Sequence, residues 1–367
     1  MYLSKKTDIK ELSIDQLTFW LQNRGYRSFH AGQIFKWVYL YQADNFDIMT
    51  NLAKELRRLL SAHFTINRLD KKQVEISKDG TRKYLFKLPD GKHVESVIIP
   101  ERDHYTLCVS SQVGCAQGCR FCLTGQYGLT RNLTKGEIVS QVRDISNEMN
   151  DSTRLTNIVL MGMGEPLANY KNVVSALETI TDSDFGLKFS SRRVTLSTAG
   201  MVSKLPDLNR DTRVNLAVSL NATENKTRDR LMPINRRFPV EELMDACRRY
   251  RLHAGRRITF EYILIQDVND SVEDAKRLCK LVRPIRAKIN LIPLNEHKNC
   301  EFRRPSDSVI ERFHKILHQN NNTAIIRQSM GQDISAACGQ LCADPTPHRI
   351  KPDIAGPVSS KSVLLFR

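Results

Sequence analysis

From residue 105 onward the chain alternates short runs of β-type apolar residues with longer stretches of helical period, and this alternation limits the possible folds more than any other feature. The runs are 105–110, 156–161, 193–198, 214–220, 257–265 and 287–292. Strands separated by helices in this way pair in parallel, as βαβ units. Six units make an α/β protein built on a partial (βα)6 barrel. In α/β barrels the chemistry gathers at the C-terminal ends of the strands. The unusual residues of this chain fall there: Gly162-Met-Gly-Glu-Pro166 after 156–161, Ala199-Gly200 after 193–198, Ser219-Leu-Asn221 at the end of 214–220, and Pro293-Leu-Asn295 after 287–292. A seventh apolar run, Ala324-Ile-Ile326, leads into a small-residue loop, Gly331-Gln-Asp-Ile-Ser-Ala-Ala-Cys338-Gly-Gln-Leu-Cys342.

The expected domains are a helical N-terminal domain (1–70), a β-meander linker (71–100), the barrel (101–343) and a mobile tail (344–367). In the first, Ser13 and Gln16 form a capping-box pair ahead of Leu17, Trp20 and Leu21. Ile34, Trp37, Val38 and Tyr41 make a second apolar face, and Leu52, Leu56, Leu59 and Leu60 a third, with the aromatics read as core. Two turn signals, Asp79-Gly80 and Pro89-Asp-Gly91, divide the meander into short strands. The tail holds four prolines and little pattern.

Between the first barrel strand and its helix lies Cys115-Ala-Gln-Gly-Cys119-Arg-Phe-Cys122. Thiolates are soft ligands, suited to iron–sulfur clusters or zinc. A closed zinc site wants four ligands, and no fourth follows locally. A [4Fe–4S] cluster held by three thiolates keeps one iron open for a substrate. Thr134 with Glu137 caps the helix that follows. The Gly162–Pro166 turn brings backbone amides and one acid to a strand end, where glycine lets the backbone approach a ligand closely.

Three further residues carry chemical potential. Cys108 stands on the first barrel strand and Cys338 in the small-residue loop. A free cysteine is more often a small buried hydrophobe, and that reading is kept for Cys247, Cys279, Cys300 and Cys342. Glu95 shares a strand face with Val97 and Ile99, so its pKa should be raised, as suits a base; an edge-strand charge is the competing reading.

The formal net charge of +16, from 56 Lys+Arg against 40 Asp+Glu, favours a polyanionic partner, RNA or DNA, bound through phosphates. A generally basic solvated surface is the alternative. Arg248, Arg249, Arg251, Arg256 and Arg257 around one strand, and Lys71 and Lys72 before the meander, are candidate phosphate contacts. No run is apolar enough to span a bilayer, and the N-terminus lacks the apolar core of a signal peptide. A cytoplasmic location is expected, and nine cysteines there point to metal or redox chemistry.

These motifs, taken together with Phe29-His-Ala-Gly-Gln33, Val94-Glu-Ser-Val97, Leu107-Cys-Val-Ser-Ser-Gln-Val-Gly-Cys115, Leu231-Met-Pro-Ile-Asn235 and Asn290-Leu-Ile-Pro293, resemble the RlmN/Cfr family of radical S-adenosylmethionine (SAM) RNA methyltransferases. The likeness runs nearly end to end and stops at about residue 345. It implies a radical SAM barrel with a [4Fe–4S] cluster on Cys115, Cys119 and Cys122. It implies SAM contacts at Gly164, Glu165, Ser197, Ser219, Leu220, Asn221 and Asn295. Ordinary polar methyl transfer to C2 of adenine, an electron-poor aromatic carbon, is not feasible, and the family uses a relay instead. One SAM methylates Cys338; a radical made from a second SAM takes a hydrogen from that methyl; the resulting methylene radical adds to C2; Cys108 then forms a disulfide with Cys338 to release the product. Glu95 matches the acid that removes the C2 proton. The implied partners are 23S rRNA and tRNA, gripped in part by the N-terminal domain, and a flavodoxin-type electron donor; the implied state is a monomer. The family commonly has Ser-Leu-His where this chain has Ser219-Leu220-Asn221. Methylation at C8, as in the Cfr branch, shares the cluster, the Gly-Glu turn and both relay cysteines, although Phe29–Trp37 and Glu165-Pro166 are closer to RlmN. A non-catalytic, metal-containing RNA-binding protein is the reading from another class.

Overall fold

A computed structural model describes residues 6–149, 155–297 and 300–343; the tail expected from 344 lies outside the described residues. Ten strands form one sheet: β1 (Asp70–Ile76), β2 (Arg82–Lys87), β3 (His93–Pro100), β4 (Tyr105–Cys108), β5 (Leu155–Leu160), β6 (Val194–Thr198), β7 (Asn215–Ser219), β8 (Ile258–Leu264), β9 (Ala287–Pro293) and β10 (Ala324–Ile326). Every strand pairs with its neighbours in sequence, so the order is a simple progression from β10 to β1. β4 to β10 run parallel, while β1 to β4 pair antiparallel. The expected alternation is therefore present, with the run at 324–326 as a seventh parallel strand. The segment from 71 to 100 does more than link two domains. It extends the barrel sheet directly, with Val97 opposite Cys108.

All seven residues of β8 are buried, the mark of a strand covered on both faces. The covering helices are α5 (Lys135–Glu148), α6 (Tyr170–Thr181), α7 (Leu205–Asp211), α8 (Asn225–Leu231), α9 (Val240–Arg249), α10 (Val272–Val282) and α11 (Asp307–Gln319), preceded by α1 (Ile14–Gln22), α2 (Phe29–Phe35) and α3 (Lys54–His63) in the N-terminal domain and by α4 (Leu123–Gln126), a single turn. Capping boxes close the starts of α1 at Ser13 and α5 at Thr134, as the sequence predicts.

The N-terminal domain buries Leu17, Leu21, Ile34, Val38, Leu52, Leu56 and Leu60. Tyr41 corrects the expectation that the aromatics are core: it is 66% exposed, its ring 4.9 Å from that of Trp37. The chain passes from α2 into a π-helical turn, Lys36–Leu40, which shifts the helical phase that would have carried Tyr41 inward. The domain docks on α5. Arg143, fully buried, donates to Val38 O (2.9 Å) and Ala43 O (2.7 Å) and pairs with Asp144 (2.9 Å). Glu11 accepts from Thr134 Oγ1 at 2.6 Å.

Candidate active site

The C-terminal ends of β5 to β9 surround a cavity. Cys115, Cys119 and Cys122 line it, with Gly164, Glu165, Ser197, Ser219, Asn221 and Cys338. The cysteine loop is stapled at several points. A short antiparallel hairpin, Gln112–Gly114 with Leu129–Asn132, closes its base. Gly114 there has φ +77°, and a Cβ would lie 2.0 Å from Gly128 O, so only glycine fits. Cys115 N donates to Gly128 O (2.8 Å), Arg120 N to Leu231 O (3.0 Å) and Leu123 N to Gly339 O (2.7 Å). Burial pushes the Cys115 thiol up to about 12 and those of Cys119 and Cys122 above the ordinary thiol value. Losing those protons thus needs a strong electrophile such as iron. Among the described residues no three His, Cys, Asp or Glu side chains converge closely enough to hold a single metal ion. Three thiols bordering one cavity without converging on a point suit a polynuclear cluster, in which each thiolate takes a different iron.

The Gly162–Pro166 turn is fixed by its neighbours. Glu165 N donates to Gln112 Oε1 at 2.8 Å. The Glu165 carboxylate accepts from Leu167 N (3.0 Å) and Ala199 N (2.7 Å), and burial raises its pKa against those bonds. Gly164 has φ +100°, and a Cβ there would stand 2.5 Å from Gln112 Cβ. Asn221 has φ +56°, a left-handed conformation that Asn and His both enter more readily than most residues. Its Oδ1 accepts from Ile263 N at 2.9 Å, and it lines the cavity. Leu220 is buried away from the cavity. Asn295 lines a neighbouring one, its Nδ2 donating to Cys338 O at 3.3 Å.

Cys338 borders both cavities. The second is also lined by Cys108, Met161, Asn295 and Arg327. Cys108 and Cys338 are both free thiols, Cys108 buried and Cys338 open to the cavity space. Burial raises both thiol pKa values, that of Cys108 to about 12, while the Arg327 guanidinium pulls both down. The loop carrying Cys338 has little regular structure, yet it is clamped on two sides. From the meander, Asp79 Oδ2 accepts from Gly331 N (2.7 Å), Ser77 Oγ donates to Asp333 (2.5 Å), Lys83 Nζ donates to Ile334 O (2.7 Å) and Glu95 Oε2 accepts from Cys342 N (2.8 Å). From the cysteine loop, Thr124 Oγ1 donates to Leu341 O (2.6 Å).

Glu95 lines neither cavity. It is buried on β3, an interior strand rather than an edge; its pKa is raised by burial, with Lys83 Nζ at 3.6 Å opposing. Sequence reasoning also missed Arg228, Glu261 and Arg327. Arg228 gives no signal in the sequence, because its helix, Asn225–Leu231, is mostly polar and charged and buries only Arg228 and Leu231.

The arginine set at 248–257, expected as phosphate contacts, stands apart from this site. Arg256 and Arg257 precede β8, at the N-terminal ends of the strands, away from the cysteines. Their charges have local uses: Arg248 and Arg249 pair with Asp245, Arg256 donates to Arg213 O and Ser191 Oγ, and Arg257 donates to Thr323 Oγ1. Lys71 pairs with Glu148 and Lys72 with Asp70.

A thiol triad beside a Gly-Glu turn at the mouth of a parallel barrel defines a class, and residues 109–279 match the radical SAM superfamily. Residues 7–66 match the N-terminal domain of ribosomal RNA large subunit methyltransferases. A radical SAM methyltransferase from Sphaerobacter thermophilus has a solved structure that superimposes with a TM-score of 0.86 at 44% identity, covering 92% of this chain and all of that one. The chain is a radical SAM enzyme, and as such uses a [4Fe–4S] cluster and SAM. It is 57% identical to the dual-specificity RNA methyltransferase RlmN of Desulfosudis oleivorans over 92% of this chain and 91% of that protein. It is 56% identical to RlmN of Geobacter sulfurreducens over 91% of each. The chain belongs to the RlmN family. No helix among the described residues is long and apolar enough to cross a membrane.

Proposed function

We propose that the protein methylates C2 of adenosine in 23S rRNA and tRNA through a methyl carried on Cys338. The observation that carries this reading is the position of Cys338 in the wall shared by two cavities, one bordered by three cysteines and the other by Cys108. In this reading Cys115, Cys119 and Cys122 hold the cluster, and Gly164, Glu165, Ser197, Ser219 and Asn221 surround SAM. Leu220 and Asn295 complete the SAM contacts, Leu220 through its backbone. When bound, the cluster and SAM supply a carbon radical strong enough to take a hydrogen atom from a methyl group.

The residues of the chain divide the remaining work. Cys338, as thiolate, attacks the SAM methyl and becomes S-methylcysteine. After one hydrogen atom has been removed, the methylene carbon bonds to C2, and the adduct gives up the C2 proton and one electron, which the oxidised cluster would accept when bound. Glu95 is the proton acceptor of the family pattern; since it lines neither cavity, a water would have to connect it to C2. Cys108 then attacks Sγ of Cys338. The Sγ–CH2 bond breaks, its electron pair stays with carbon, that carbon takes a proton, and the disulfide awaits reduction. A flavodoxin-type donor in the cytoplasm and a monomeric state complete the reading. The N-terminal domain meets RNA, and its exposed Phe19, Phe29 and Tyr41 are suited to base stacking.

The test uses reconstituted enzyme, SAM, a reductant and RNA. Nucleoside mass spectrometry should find 2-methyladenosine; a methyl on C8 would sink the C2 assignment. Cys338→Ala should leave no methyl on protein or RNA. Cys108→Ala should stall as a protein–RNA adduct through Cys338, visible on a denaturing gel, and free turnover by that variant would refute the division of labour.

A further inference from the structure

Arg327 has a position that the relay as stated leaves unused. It follows β10, lines both cavities and lies within electrostatic reach of Cys338, Cys108 and Glu261. Its backbone N is tied to Leu291 O at 2.8 Å. Its guanidinium makes no hydrogen bond or ion pair among the described residues, whereas the other arginine enclosed at this site, Arg228, makes four hydrogen bonds. The nearby carboxylate does not take it up. Glu261 Oε1 accepts from Asn290 Nδ2 at 3.0 Å, and Oε2 has no hydrogen-bond partner among the described residues. A set of unused donors beside the methyl-carrying thiol is thus available to whatever enters the second cavity.

Guanidinium is a donor only. The carbon to be methylated must come within bonding distance of the carbon on Cys338, so its two ring neighbours also come close to that sulfur. In adenine those neighbours of C2 are N1 and N3, and both are acceptors. Whichever way round the base enters, an acceptor flanks the reacting carbon on each side. We propose that Arg327 holds the target adenine by donating a hydrogen bond to a ring nitrogen beside the carbon that is methylated. Such a bond positions the base and draws electron density from the ring, which favours attack on it by a carbon radical. Guanine carries an exocyclic amine on the same carbon and a hydrogen on N1, so it presents a blocked carbon and a clashing donor.

This inference rests on the methyl-cysteine reading, and its test keeps the two separable. Arg327→Gln and Arg327→Lys are made in a Cys108→Ala background and isolated with Cys338 methylated. Adduct formation is measured in single turnover, per methylated Cys338, on short RNAs with adenosine, 1-deazaadenosine or 3-deazaadenosine at the target. A charge-assisted hydrogen bond predicts that Arg327→Gln is slower by about 30-fold on adenosine. The Lys variant should be slowed less. On the analogue that lacks the contacted nitrogen, the variant and its parent should react at similar rates. Equal slowing on all three RNAs would assign Arg327 to a phosphate or to the protein framework and overturn the proposal, as would no slowing. Failure of the Cys108→Ala parent itself to form an adduct sinks the relay, and this proposal with it.

Discussion

Replacing Arg228 by Met tests how the mouth of the barrel is held open in one shape. Arg228 lies on α8, is fully buried and forms no ion pair among the described residues. Burial pushes its pKa down to about 10, so it remains charged at neutral pH. It donates to Leu220 O (2.9 Å), Asn235 Oδ1 (3.1 Å), Ala199 O (2.7 Å) and Ser219 O (3.1 Å). Bonds from a charged donor are worth about 1.5–3 kcal/mol each, so four give roughly 6–12 kcal/mol in gross terms. Against this stands the penalty for burying a cation, several kcal/mol after relaxation. Met keeps most of the stem volume and removes both terms. The expected net loss is about 3 kcal/mol in unfolding free energy, read from urea or guanidinium curves. The freed carbonyls belong to the ends of β6 and β7, so SAM affinity should also fall by about tenfold or more, measured by calorimetry on the reconstituted protein. Arg228→Lys should lie between, since an ammonium cannot span the same fork. If Arg228→Met unfolds within about 1 kcal/mol of the parent and binds SAM normally, the argument that this cation organises the cavity wall is wrong.

Other outcomes follow from the same geometry. Ala in place of Cys115, Cys119 or Cys122 should abolish the brown colour and the iron and labile sulfide of anaerobically reconstituted protein; an intact cluster in any single variant would contradict the ligand assignment. Gly164→Ala must place a Cβ at φ +100°, 2.5 Å from Gln112 Cβ, so it should cost about 2 kcal/mol or more and weaken SAM binding; a full-affinity, stable variant would show that the turn can move aside. Burial raises the pKa of Glu261 above its ordinary value of 4.5, so the folded state holds a proton that the unfolded chain has already lost. Stability should therefore fall as pH rises from about 4.5 through the raised value, and Glu261→Gln should gain on the parent between pH 5 and 7.5; an unchanged gap between their urea midpoints would refute the sign.

The barrel was legible because its pattern is local. Apolar runs and capping pairs at Ser13 and Thr134 are read within a few residues, and β5 to β9 form within a residue or two of the expected bounds. The thiol triad and the Gly-Glu turn were legible for the same reason. What the sequence hid is non-local. Arg143 reaches Val38, Arg228 reaches Ala199, and Arg327 acquires its meaning from Cys108 across the barrel. No periodicity records such contacts. Tyr41 was misjudged because a π-helical turn breaks the period on which its placement relied. The local partners of the arginines at 248–257 were hidden as well, because composition counts charges and cannot show that Asp245, Arg213 O and Ser191 lie beside them.

The meander gains its significance from the loop it clamps. Residues 331–343 carry one nucleophile that, in the proposed relay, must meet two partners in turn: a methyl donor on the side of the three cysteines and a base on the side of Cys108. A freely moving loop would spend most of its time facing neither. Ser77, Asp79, Lys83 and Glu95 fix it from one direction, Thr124 and the backbone of Leu123 from the other. The strands at 71–100 thereby bind the first residues after the N-terminal domain to residues some 250 positions later. A loop held on both sides leaves Cys338 in the wall between the two cavities. Loosening a single clamp should therefore harm methylation of Cys338 less than transfer to RNA, because SAM comes to the thiol by diffusion and binding, whereas the base attached to a large RNA must find the methylene carbon within bonding distance.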